Sequence, residues 1–261
     1  MPRFSANLSM LYSEHTFLDR FAAAADDGFT AVEYLGPYDE TPDNVARALQ
    51  ANGLTQALFN LPSGDWAGGE RGIGGLPGRE AEFREGVTRA IDYAAALGCT
   101  QINCLAGIAP AGREAAHEAV LVENLKFAAD ALGQNGIRLL LEPINTRDIP
   151  GFLVTRSDQA LRIMDAVGSG NLWLQYDFYH MQIMQGDLLP TFERLQDRIA
   201  HVQIADTPGR HEPGTGEIAY PFVLRSLDRL GYDGWVGCEY KPAGGTSAGL
   251  GWIRDWMGTK T

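Results

Sequence analysis

Four oxygen-bearing side chains close four successive apolar runs in the second half of the chain. They are Glu142 after Ile-Arg-Leu-Leu-Leu, Asp177 after Trp-Leu-Gln-Tyr, Gln203 after His-Val and Glu239 after Trp-Val-Gly-Cys. A carboxylate at the mouth of a buried run is costly unless positive charge compensates it. Three carboxylates and an amide oxygen converging on one point form an all-oxygen set. Such a set suits a hard divalent cation, Mg²⁺ first and Mn²⁺ next, ahead of Zn²⁺. Any one of these acids could instead cap a helix or pair with Arg or Lys at a rim. Four at equivalent run ends favour the cation.

Two glutamates on one cation suit proton transfer beside a carbonyl. A divalent ion stabilises the enediolate left when a carbon-bound proton departs, and a positioned carboxylate takes and returns that proton. Glu142 and Glu239 are the candidates. One-base return gives aldose–ketose isomerisation and a two-face version gives epimerisation; the residues leave both open. His180, three after Asp177, can reach a substrate oxygen. Arg210, in the Gly-rich stretch Asp206–Glu217, can hold an anionic group bidentately. Lys241, two after Glu239, adds positive charge. No second His follows His211-Glu212 at zincin spacing, no G-x-S-x-G elbow occurs, and no cysteine has an evident base.

Strand-length apolar runs alternate with helical patterns along the whole chain. Strands are expected near 3–8, 30–35, 54–60, 100–105, 137–142, 171–177, 199–204 and 234–239. Helices are expected near 14–27, 41–52, 79–98, 113–135, 157–168, 187–198, 219–230 and 247–257, several closed by a glycine such as Gly53 or Gly98. Eight such units predict one α/β domain over 1–261, a (β/α)₈ TIM barrel, whose functional face is the C-terminal end of the strands. Alternation along the last strand turns Gly237 and Glu239 inward and Cys238 towards the helices; His201 shares the inward face with Gln203. One connection stands out: 60–78 holds seven glycines and is too long for an ordinary βα turn. It is expected to cover the barrel mouth, anchored by Trp66.

Composition narrows the partners. The chain has 261 residues, and its 33 acidic against 21 basic residues give a formal net charge of −12. That balance opposes binding to nucleic acid or anionic membrane. No run reaches the roughly 18 apolar residues of a membrane span, and the N-terminus lacks the pattern of a signal peptide, so a cytoplasmic protein is expected. Three cysteines, Cys99, Cys104 and Cys238, lie in or beside apolar runs and are expected as buried thiols.

Several segments then resemble the hydroxypyruvate isomerases, a branch of the xylose isomerase-like barrel family. They include 3–10, Asn60-Leu-Pro-Ser-Gly-Asp-Trp66, Gly69-Glu-Arg-Gly-Ile73, Leu141-Glu-Pro-Ile-Asn145, Gln175-Tyr-Asp-Phe-Tyr-His-Met-Gln182, His211-Glu-Pro-Gly-Thr-Gly-Glu-Ile218 and Gly234-Trp-Val-Gly-Cys-Glu-Tyr-Lys-Pro242. The match runs almost end to end. The resemblance implies interconversion of hydroxypyruvate and 2-hydroxy-3-oxopropanoate, with Glu142 and Glu239 as the acid–base pair. It also implies Glu142, Asp177, Gln203 and Glu239 as metal ligands. Asn7, Asn60 and Asp148 join His180, Arg210 and Lys241 as expected substrate contacts. Gln203 stands where the family's sugar epimerases typically carry His. A 2-oxo-tetronate isomerase or a ketose 3-epimerase of the same family is the nearest alternative. A non-catalytic sugar-acid binder and a barrel-type DNA-repair endonuclease are remoter ones. The oligomeric state is left open, a homo-oligomer included.

Overall fold

A computed structural model describes residues 1–257. Eight parallel strands close into a barrel in chain order: β1 (Arg3–Asn7), β2 (Ala31–Tyr34), β3 (Thr55–Asn60), β4 (Gln101–Cys104), β5 (Arg138–Leu141), β6 (Leu172–Asp177), β7 (Ile199–Ile204) and β8 (Trp235–Cys238). β8 pairs back onto β1, with Ser5 opposite Gly237. Parallel neighbours need crossovers, and helices supply them. They are α1 (Asp19–Asp26), α2 (Pro42–Asn52), α3 (Glu80–Leu97), α4 (Glu114–Gly133), α5 (Ser157–Val167), α6 (Phe178–Met184), α7 (Leu188–Leu195) and α8 (Tyr220–Arg229), followed by the single turns α9 (Thr246–Gly249) and α10 (Arg254–Met257). Among the described residues no helix is long and apolar enough to cross a membrane. Residues 258–261 of the expected 1–261 domain lie outside the described residues.

The strand alternation sorts the chain into two environments. Outward residues such as Phe4, Val32, Ile102, Tyr176, Val202 and Cys238 join the main apolar core beneath the helices. Inward, Leu58, Leu140 and Ala200 form a small separate apolar layer. Most of the other inward positions are polar and buried, among them Ser5, Asn7, Glu33, Asn103, Gln175, Asp177, His201 and Gln203. The barrel axis is therefore a hydrogen-bonded column rather than an oily one. The three cysteines are buried and unpaired.

Helix boundaries differ from expectation in three places. The first helix begins at Asp19, because residues 8–15 form turns that carry β1 over the rim. The last, expected as one helix over 247–257, is broken by a 3-10 turn at Leu250–Ile253. Helix α6 was not anticipated: it starts directly after β6, where Asp177 Oδ1 accepts the Tyr179 amide hydrogen at 2.7 Å and caps it. Its buried Phe178, Tyr179 and Met181 fall in the stretch expected as a loop between the strand ending at 177 and the helix near 187–198.

The glycine-rich connection is a loop held more firmly at one end than the other. Gly74 and Gly75 donate to the carbonyls of Leu105 and Ala106 at 3.3 and 2.8 Å, and Asn124 Nδ2 donates to the Gly74 carbonyl at 2.8 Å. Its apolar anchor is Ile73, 2% exposed, and not Trp66, which is 40% exposed. The indole's face meets the Arg71 guanidinium at 4.3 Å instead of packing into the core.

Gly72 shows why glycine is needed there: φ is +105°, and a Cβ would overlap the Leu105 carbonyl and side chain. Gly72→Ala is expected to cost about 2 kcal/mol or more, lowering the melting temperature by roughly 4–8 °C in a domain of this size. An unchanged melt would show that the close approach is dispensable.

Candidate active site

Three elements bring three carboxylates to one point at the C-terminal rim. Glu142 follows β5 directly, Asp177 ends β6 and Glu239 follows β8. With His180 of α6 they form a buried cluster in which one candidate ligand atom from each lies within 4.8 Å of the others. Glu142, Glu239 and His180 line a cavity of about 540 Å³ with Trp66, Arg71, Asp148, Arg210 and Lys241, and Asp177 is buried beside them. That volume exceeds the need of a three- or four-carbon acid, so size alone does not choose between them.

Each acid is held by a specific partner. Glu239 receives Asn7 Nδ2 on Oε1 at 3.1 Å and Arg210 Nη2 on Oε2 at 2.8 Å. Glu142 receives Asn103 Nδ2 on Oε2 at 3.2 Å. Asp177 spends Oδ1 on the α6 cap. The other oxygens, Glu142 Oε1 and Asp177 Oδ2, are buried and find no hydrogen-bond partner in the protein. Burial is the first cause of a raised pKa in all three: Asp177 is pushed up to about 6, and Glu142 well above the carboxylate range with Glu239 and Asp177 adding repulsion. Burial also raises Glu239, against the pull of Arg210.

One guanidinium does not balance three clustered acids, and unsatisfied buried oxygens of this kind cost several kcal/mol each when ionised. The donor set fits a divalent cation. Glu142 Oε1 and Asp177 Oδ2 are the free lone pairs, with Glu239 beside them.

His180 is the fourth member of the cluster, but its protons argue for another task. Nδ1 accepts from Asn145 Nδ2 at 2.6 Å and from the Asn145 backbone N–H at 3.4 Å. The Asn145 amide cannot be reversed, because its Oδ1 accepts from the Asp148 N–H at 2.7 Å. Burial, with the Arg210 charge assisting, holds the imidazole pKa well below its ordinary value, so the ring is neutral. The proton of the neutral ring then sits on Nε2, 3.5 Å from Asp177 Oδ2 and 3.8 Å from Glu142 Oε1. Nε2–H is a donor aimed at the cavity rather than a lone pair for a metal.

Gln203, expected as the amide ligand, pairs with Asp177 in the sheet register. Its Nε2 donates to Glu33 Oε1 at 2.8 Å, and its Oε1 accepts from Gln175 Nε2 at 2.7 Å. The amide is thus tied into the layer below the acids. Glu33, which strand patterning did not single out, is that layer's centre. It is fully buried and also receives Ser5 Oγ at 2.6 Å, Asn7 Nδ2 at 3.3 Å and His201 Nε2 at 2.9 Å. Burial alone would raise its pKa; His201, Ser5 and Gln203 outweigh it and hold the group below the usual carboxylate range. The missed signal was a lone Glu at an inward position of Ala31-Val-Glu-Tyr34.

The other expected substrate contacts divide. Asp148 lines the cavity but is bonded to Tyr179 Oη at 3.1 Å and to Arg210 Nη1 at 3.4 Å. Nη1 and Nη2 of Arg210 are thus engaged by Asp148 and Glu239 while its buried Nε has no partner, and its Cζ lies 5.1 Å from the centre of the Tyr179 ring. Lys241 lines the cavity with an exposed side chain. Asn7 and Asn60 sit below the cavity floor: Asn7 bridges Glu33 and Glu239, and Asn60 Oδ1 accepts from Asn103, the donor to Glu142. They orient the acids instead of lining the cavity.

A family model described as "Xylose isomerase-like TIM barrel" matches residues 21–256. A 2-oxo-tetronate isomerase of Cupriavidus necator is 53% identical, covering 99% of this chain and 100% of its own. A hydroxypyruvate isomerase of Escherichia coli is 54% identical over 98% and 100%. Among solved structures, one described as an AP endonuclease, family 2, from Brucella melitensis superposes with a TM-score of 0.96 at 46% identity, covering 98% of this chain and 99% of that one.

Two substitutions separate the roles in the cluster. Asp177→Asn should weaken Mg²⁺ binding at least about tenfold by chelator competition, whereas His180→Gln should leave it within about threefold. Equal losses would make His180 a ligand. Gly237→Ala, whose methyl would overlap the Glu33 carboxylate, should cost about 2 kcal/mol or more in thermal denaturation.

Proposed function

The chain belongs to the xylose isomerase-like TIM barrel family, and from its site we propose that it isomerises a short 2-oxo-3-hydroxy acid. Hydroxypyruvate, interconverted with 2-hydroxy-3-oxopropanoate, is the first substrate. 2-Oxo-tetronate, one carbon longer, is the second, because relatives of both names match at 53–54% identity over nearly the whole chain. The observation that carries the proposal is the pair of buried carboxylates, Glu142 and Glu239, facing one cavity from opposite sides of Asp177.

Their surroundings assign tasks. Glu142 has one oxygen fixed by Asn103 and one free, and burial makes it basic; it takes the carbon-bound proton or returns it at the neighbouring carbon. Glu239 is gripped at both oxygens and is the second member of the acid–base pair. His180 Nε2–H donates to a substrate oxygen as charge develops there. Glu142, Asp177 and Glu239 would hold a divalent cation, Mg²⁺ first and Mn²⁺ next, with Gln203 as the amide donor if Gln175 yields its hydrogen bond. When bound, such an ion supplies Lewis-acid polarisation of the substrate's carbonyl and adjacent hydroxyl.

The name carried by the Brucella melitensis relative raises nucleic acid as a second reading. A net charge of −12 and a rim occupied by clustered carboxylates weigh against a DNA partner. A gel-shift assay with abasic duplex is expected to show no complex.

In D₂O with Mg²⁺, the protein should exchange deuterium into hydroxypyruvate or 2-oxo-tetronate and form the isomer. Glu142→Gln and Glu239→Gln should each lower that rate by a factor of about 10² to 10⁴ while remaining folded. Turnover within tenfold of the unaltered protein in both variants would remove them from catalysis, and inactivity of the unaltered protein on both acids would reject the function.

A further inference from the structure

A carboxylate-bearing substrate entering this cavity meets three acids in its wall, Glu142, Asp148 and Glu239, with Asp177 buried beside them. Arg210 is already paired with two of them. Its buried Nε alone is left without a partner, so a two-point grip on the substrate's carboxylate calls for another cation. Arg71 and Lys241 also line the cavity, and neither forms an ion pair among the described residues. Their presentation differs. Lys241 is exposed, a mobile point charge on a flexible stem. Arg71 is half-buried and fixed. Its Nη1 donates to the carbonyls of Trp66 and Glu70 at 3.0 and 2.7 Å, and its plane lies against the Trp66 ring. The next residue, Gly72, is the one packed onto Leu105, which sets where the arginine begins.

With Nη1 spent on the backbone, the Nε–Nη2 edge makes no hydrogen bond among the described residues. That edge is the two-donor fork that matches a carboxylate. We propose that Arg71, carried by the glycine-rich cover, is the receptor for the substrate's carboxylate, with Trp66 holding the guanidinium flat. The inference rests on the isomerase reading for the identity of the acid, but not for the charge it recognises. In both candidate acids the carboxylate is bonded to the carbon that is interconverted, so one receptor serves both. Any preference between them must then arise at the far end of the substrate.

The test compares the unaltered protein with Arg71→Met, Arg71→Lys and Lys241→Met. Glycerate, which keeps the carboxylate and carries a hydroxyl in place of the carbonyl so that it cannot isomerise, is titrated calorimetrically into the Mg²⁺-loaded proteins, with glycerol as the uncharged control. Arg71→Met should weaken glycerate about 10- to 100-fold, the loss of a charge-assisted bidentate contact. Arg71→Lys should lose several-fold, and Lys241→Met less than about threefold. For hydroxypyruvate the Arg71→Met loss should fall on KM, with kcat within about threefold. Equal glycerate affinity in Arg71→Met, no glycerate binding by the unaltered protein, or a loss carried by Lys241→Met instead would overturn the proposal. If the unaltered protein turns over neither acid yet loses glycerate on Arg71→Met, the carboxylate receptor stands and the isomerase function falls.

Discussion

Burial of negative charge governs the architecture of this barrel. Glu33, Glu142, Asp177 and Glu239 are each at most 4% exposed, where an uncompensated carboxylate is prohibitively costly. The fold meets this at two levels. Inside the barrel, Glu33 is surrounded by donors from β1 and β7. At the rim, Arg210 pairs with Glu239, and Glu142 and Asp177 keep oxygens free for a cation. Asn7 joins the levels by donating to both Glu33 and Glu239, so the acidic rim is built on the interior column rather than merely placed above it.

The rim acids were legible in the sequence because each closes an apolar run, and a polar residue at such a boundary stands out. Fold class followed from eight alternations, and the barrel closes in chain order as expected. Side-chain commitments were not legible. That Arg210 is consumed by Asp148 and Glu239, or that Asn145 fixes the His180 proton, depends on contacts between residues far apart in sequence. Gln203 carries the right functional group at the right strand end, yet its amide is drawn into the Glu33 layer. Helix α6 was not legible because it is only seven residues long and follows the strand without a connecting turn, so that Asp177 both ends the strand and caps the helix.

The cover illustrates how one loop can combine rigidity and exposure. Its second half is stitched to the backbone after β4, while Trp66 and Arg71 form a stacked pair at the cavity edge. A flexible chain of glycines would lose orientation at large entropic cost on binding. Here the glycines instead permit backbone-to-backbone contact, and the loop presents its cation without searching for a position.

The space left by the missing side chain at Gly237 is the mould of the Glu33 carboxylate. These two positions, on strands separated in the ring by β1, cannot drift independently. A larger residue at 237 evicts the acid, and a shorter residue at 33 leaves the Nε2 donors of His201 and Gln203 without their acceptor. Substitution in lineages carrying this arrangement therefore has to be concerted, which would freeze an otherwise unremarkable glycine for as long as its opposite number persists.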